Sequence, residues 1–144
     1  MTTPSAPAWR FNARAFATAL VLFVLLVLLA TFGARAGWLR GFFGDVLAVA
    51  WLHCVFRSVL AAPPLVLAAA AFGTGCALEL AQCLARLWHL RIANPVLRIV
   101  LGSTPDWMDV LAYALGFVTV MLVESALRAA RPTACAPRSS RRGR

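Results

Sequence analysis

Apolar residues in this chain run in long unbroken blocks. They do not alternate as in a half-buried strand or mark out one face of an amphipathic helix. The first block is twenty uncharged residues from Ala15 to Ala34, with the core ATALVLFVLLVLLATF, just after Arg10 and Arg14. At about 1.5 Å per residue, such a helix matches the roughly 30 Å of hydrocarbon in a bilayer. A second block begins at Asp45, reads DVLAVAWLHCVFRSVLA and is broken by Pro63-Pro64. The third runs from Leu65 to Leu87. It is rich in Ala and Gly, and pairs such as Ala69/Gly73 and Ala71/Gly75 stand four residues apart, which allows helices to approach closely in lipid. The fourth follows the cap-plus-proline signal Thr104-Pro105 and extends from Asp106 to about Leu127.

The pattern predicts helices over about 15–34, 45–62, 65–87 and 106–127. Gly33–Gly44 reads as a short loop whose Trp38, Phe42 and Phe43 suit a membrane–water interface. Asn94-Pro95 predicts a short interfacial helix, Pro95–Leu101, stopped by Gly102. Residues 1–10 are expected to be disordered, 11–127 to form the transmembrane domain, and 128–144 to be a disordered Arg-rich tail. The fold class is all-α: a polytopic membrane protein with four transmembrane helices and a short interfacial helix before the fourth. Ala34-Arg35-Ala36 resembles a signal-peptide cleavage site, but the preceding apolar run is longer than a usual signal core, so the first helix is read as retained.

Composition removes the competing classes. The chain is 62% hydrophobic and 13% charged, with a mean hydropathy of +0.81. A water-soluble domain of 144 residues has too much surface to hide that much hydrocarbon, and a disordered chain is polar. The net charge of +9 balances 14 basic residues, all Arg, against 5 acidic ones. Much of it lies in the terminal segments, which suits a cytoplasmic anchor on anionic lipid better than a nucleic-acid surface. With both termini inside, nine arginines fall on the cytoplasmic side and five outside, which satisfies the positive-inside rule. The expected location is the bacterial cytoplasmic (inner) membrane. No two of Cys54, Cys76, Cys83 and Cys135 have C-x-x-C spacing, so neither a disulfide framework nor a zinc site is expected. No metal and no cofactor is expected.

In that orientation the acids fall unevenly. Asp45, Asp106 and Asp109 open helices at the outer boundary, and Glu79 lies some seven residues before Arg86, roughly 10 Å deeper. Glu79, Gln82 and Arg86 share one stripe of the third helix, and Asp106, Asp109, Tyr113 and Gly116 form a stripe on the fourth. Intramembrane ionisable groups face protein or water, so facing stripes would line a polar pocket. The candidate pocket residues are Asp45, Glu79, Gln82, Arg86, Arg98, Asp106, Asp109 and Tyr113. Plainer roles compete: Asp45 as an N-cap, Asp106 as a helix-dipole charge, Tyr113 as an interface aromatic. Glu124 stands four residues before Arg128 and is expected to pair with it. Arg57 is expected to snorkel to the interface, and His53 to be a polar packing residue. No nucleophile elbow, zinc-protease helix, P-loop or dinucleotide fingerprint is present, and no catalytic residue is assigned.

The segment ELAQ at Glu79–Gln82, followed by RIVLGSTPDWMDVLAYALG from Arg98 to Gly116, resembles a DUF2809-type family of small bacterial membrane proteins within the VanZ-like superfamily. The matching positions are Glu79, Gln82, Arg98, Asp106, Asp109 and Gly116, and Gly44-Asp45 resembles the start of that family's second helix. The resemblance covers roughly Phe11 to Leu127; the Arg-rich tail departs from it. It implies a role in the cell envelope without a reaction. The leading expectation is a binding or accessory protein whose outward-facing pocket holds an envelope-derived amphiphilic ligand. An alternative is a membrane-embedded enzyme acting on a lipid or cell-envelope precursor with a carboxylate general base. Transport ranks third. Expected partners are membrane lipids, such a ligand, and a second copy or another membrane protein.

Overall fold

The computed structural model describes residues 8–32, 37–88 and 107–130. Four helices dominate: α1 (Ala13–Phe32), α2 (Trp38–Val59), α3 (Pro64–Leu87) and α4 (Trp107–Ala129). Each is long and apolar enough to cross a membrane. The interfacial helix expected at Pro95–Leu101 lies outside the described residues, as do residues 1–7 and the tail beyond Ala130.

Two local expectations are corrected. Helix α2 begins at Trp38, so Asp45 is an interior residue about two turns in and not its N-cap. The chain turns at Gly37, whose φ of 54° suits a residue without Cβ. From there Leu39 to Gly44 stay helical despite two glycines. Second, Ala8 and Trp9 are not disordered. They form β1, an antiparallel pairing with β2 (Leu60–Ala61) in the connection between α2 and α3. The ladder continues through Arg10 N–H to Val59 O at 3.0 Å and Asn12 N–H to Ser58 O at 2.8 Å. Asn12 then caps α1: its Oδ1 accepts from Ala15 N–H at 3.2 Å. Pro63 and Pro64 exclude a continuous α2–α3 helix, and the extended backbone they leave offers the edge that β1 takes.

Helices α2, α3 and α4 pack against one another, while α1 rests on α2. The centre is small and tight. Val49 of α2, Ala71 of α3 and Tyr113 of α4 are buried together, with Leu52, Phe56 and Phe72 around them. Gly116 sets the α2–α4 separation: a Cβ there would sit 2.9 Å from Val46 O and 2.9 Å from Val49 Cβ. Neither obstacle can swing aside, since one is backbone and the other a β-branched stem. Gly116→Ala is expected to destabilise the detergent-purified protein by about 1–3 kcal/mol, measured as a fall in thermal midpoint.

Candidate functional site

Alternating helix directions decide which polar groups meet. Helices α2 and α4 run the same way and α3 runs back between them. Asp45 early in α2, Asp109 early in α4 and Glu79 late in α3 therefore reach the same end of the bundle. Asp45 hydrogen-bonds with Asp109 and with Tyr113, and Tyr113 hydrogen-bonds with Glu79. Two carboxyls can share a hydrogen bond only when one of them holds a proton. The Asp45–Asp109 contact can therefore close as a hydrogen bond when one of the two acids is protonated. Glu79 is buried, and the Tyr113 hydroxyl links it to that pair.

Tyr113 is held by shape as well as by hydrogen bonds. Its ring lies across Gly75 of α3, where a Cβ would meet Cγ and Cδ2 at 2.9 Å. Gly75 thus admits the ring so that the hydroxyl can stand between carboxyls on two other helices. Gln82 is half-buried one turn beyond Glu79, and Arg86, in the last turn of α3, is exposed. Arg98 and Asp106 lie outside the described residues. Among the described residues, no set of three His, Cys, Asp or Glu side chains is disposed to hold a metal ion. A largely apolar groove between α1 and α2 is lined by Phe16, Phe23, Trp51 and Val55 together with Ser58.

A second polar cluster lies at the opposite end of α2 and α4. Glu124 is buried and forms an ion pair with Arg57, and His53 Nε2 lies 3.5 Å from Glu124 Oε1. This corrects the expected Glu124–Arg128 pair. Glu124 faces inward toward α2, and Arg57 is drawn across the helix interface to it. The Arg57 side chain keeps 30% of its surface accessible, so its stem lies along the bundle while its head is shared with Glu124. The sequence did hold a signal for this contact. Arg57 stands two residues from the end of α2 and Glu124 five from the end of α4, which puts them at comparable depth.

Fold and clusters together define a polytopic membrane protein whose three tightly packed helices join three carboxyls through one tyrosine. The chain belongs to the family described as "Protein of unknown function (DUF2809)", which matches residues 34–117. The matched span contains Asp45, Glu79, Asp109 and Tyr113 and stops short of Glu124. No curated protein and no solved structure matches the chain.

Proposed function

We propose that the Asp45–Asp109–Tyr113–Glu79 cluster lines a pocket, open to the extracytoplasmic face, that binds the polar head of an envelope-derived amphiphile. One observation carries this reading: three carboxyls on three helices converge at one end of the bundle and are joined through Tyr113. Ionisable groups within a membrane are costly to hold there, and three of them at one place mark a working site. Carboxylates accept hydrogen bonds, so the matching head group is rich in hydroxyl or amine donors. Gln82 and Arg86, further along α3 than Glu79, extend the pocket toward the rim, where an arginine can hold an anionic group of the same ligand. Lipid tails beside the pocket accommodate the apolar part. The excess of arginine near the termini supports an orientation with both termini in the cytoplasm of a bacterial inner membrane. The resemblance of the Arg98–Gly116 segment to VanZ-like proteins supports the envelope role.

The Asp45–Asp109 hydrogen bond favours a second reading, an enzyme acting on a lipid or envelope precursor. A carboxyl pair sharing one proton provides both an acid and a base at one point. The experiment that tests binding is native mass spectrometry of the full chain extracted from its own membrane in mild detergent. The wild type is expected to retain an amphiphile that Glu79→Gln and Asp109→Asn lose while keeping their thermal midpoints. Equal retention by all three proteins would remove the pocket. Conversion of the retained species by the wild type alone would establish the enzymatic reading instead.

A further inference from the structure

We propose that the seam between α2 and α4 is a proton path through the bundle, held shut by Val49 lying over Gly116. Asp45, Val49, His53 and Arg57 follow one another at four-residue steps and so share one face of α2. Asp109, Tyr113, Gly116, Val120 and Glu124 form the matching face of α4. The contacts across the seam fall into three layers. Asp45 meets Asp109 and Tyr113 at one end. Val49 lies against the position of Gly116 in the middle. His53 and Arg57 meet Glu124 at the other end. Proton-carrying groups thus enter the seam from both sides and are parted by one apolar layer, in which Val49 is 1% exposed.

His53 supplies the independent observation. It is 3% exposed, and neither of its ring nitrogens makes a hydrogen bond, although Glu124 lies within 3.5 Å of one of them. Leaving buried polar nitrogens unsatisfied costs free energy that an apolar residue of similar size would not incur. A packing role therefore does not explain a histidine here. A neutral imidazole has one nitrogen that accepts a proton and another that releases one, which is the chemistry a relay needs. The charged groups around it are Arg57 on its own helix and Glu124 on α4.

Asp45 and His53 are eight residues apart, about 12 Å along the helix, too far for direct transfer. Water bridges them when Val49 moves off Gly116. An O–H bond in the carboxyl pair then breaks as one forms on water, and an O–H on water breaks as an N–H forms on His53. The other nitrogen releases its proton to Glu124 and onward to the far face. No electrons are exchanged, and each proton carries one positive charge across. The path needs no ligand in the Glu79 pocket.

The test reconstitutes the full chain in phosphatidylcholine–phosphatidylglycerol vesicles holding a pH-sensitive dye, with a potassium gradient and valinomycin to balance charge. Val49→Ala is expected to pass protons severalfold faster than the wild type. Adding His53→Leu or Asp45→Asn is expected to return the rate to that of protein-free vesicles. A Val49→Ala rate equal to that of protein-free vesicles would overturn the proposal. A raised rate that His53→Leu and Asp45→Asn leave undiminished would show leakage through loosened packing and would overturn it equally. If Val49→Ala does not survive purification, Val49→Thr, of the same shape, is read by the same criteria. Amphiphile retention is read by mass in detergent and proton passage by dye in vesicles, so either proposal can fail while the other stands.

Discussion

Glu124→Ala is expected to lower the thermal midpoint of the detergent-purified protein sharply, at a cost of about 3 kcal/mol or more. The reason is asymmetric. Glu124 is buried at the α2–α4 interface, and its removal leaves the Arg57 guanidinium without its partner while His53 lies nearby. Breaking an ion pair in a weakly polar setting costs far more than the pair itself contributes, because the abandoned charge must be resolvated or drawn out to the surface. The double change Arg57→Leu with Glu124→Leu is therefore expected to recover most of the loss. A thermodynamic cycle over the two sites should return a large coupling energy. If Glu124→Ala and the double change unfold at the same temperature, the interface is held by packing alone. Arg128→Ala is the matched control: Glu124 pairs with Arg57 across helices, so loss of Arg128 should leave the midpoint within about 0.5 kcal/mol of wild type.

The second large effect is expected at a glycine. Gly75→Ala places a methyl group 2.9 Å from two atoms of the Tyr113 ring, and the ring is a rigid plate that cannot fold away. The overlap alone costs about 1–3 kcal/mol. Moving the ring also pulls its hydroxyl away from Asp45 and Glu79, and a hydrogen bond from it to a charged carboxylate contributes about 1.5–3 kcal/mol. Gly73→Ala, two residues away, makes the comparison clean. Nothing lies within 4 Å of the added methyl there, so only the helix-propensity gain of up to about 1 kcal/mol remains and the midpoint should rise slightly. In a Tyr113→Phe background, Gly75→Ala should cost little beyond the overlap. Similar midpoints for Gly73→Ala and Gly75→Ala would show that the ring does not rest on α3 as described.

The four spans were legible because apolar length is a one-dimensional signal. A helix in lipid must satisfy its own backbone, so a long block without charge leaves few other structures. Helix starts were harder to read. Asp45 looks like a cap because an acidic residue after a glycine usually is one, yet Gly37 makes the turn and α2 is already two turns old when it reaches Asp45. The convergence of Asp45, Glu79, Asp109 and Tyr113 follows from depth and face, both of which residue spacing encodes. The roles of the two close glycines do not follow in this way. Gly73 and Gly75 look equivalent in the sequence, and only the position of α4 shows that one supports a ring while the other faces open space. The Glu124 contact is harder to read because a partner four residues away in the sequence stands out, whereas Arg57, on another helix, is found only by comparing depths. The Ala8–Trp9 ladder is hidden for a related reason: a two-residue strand has no periodicity, and its partner is some fifty residues further on.

That ladder sets an order of events during synthesis. As the ribosome feeds the chain into the membrane, α1 emerges before α2, and Ala8 and Trp9 lack the strand they pair with until Leu60 and Ala61 have been made. The first span therefore waits as a loose apolar rod, and completion of the second both gives it a neighbour and moors the residues ahead of it. The earliest unit able to hold its shape is the α1–α2 hairpin closed by this stitch, and a ribosome stalled before residue 61 should leave the amino-terminal arm open to added protease.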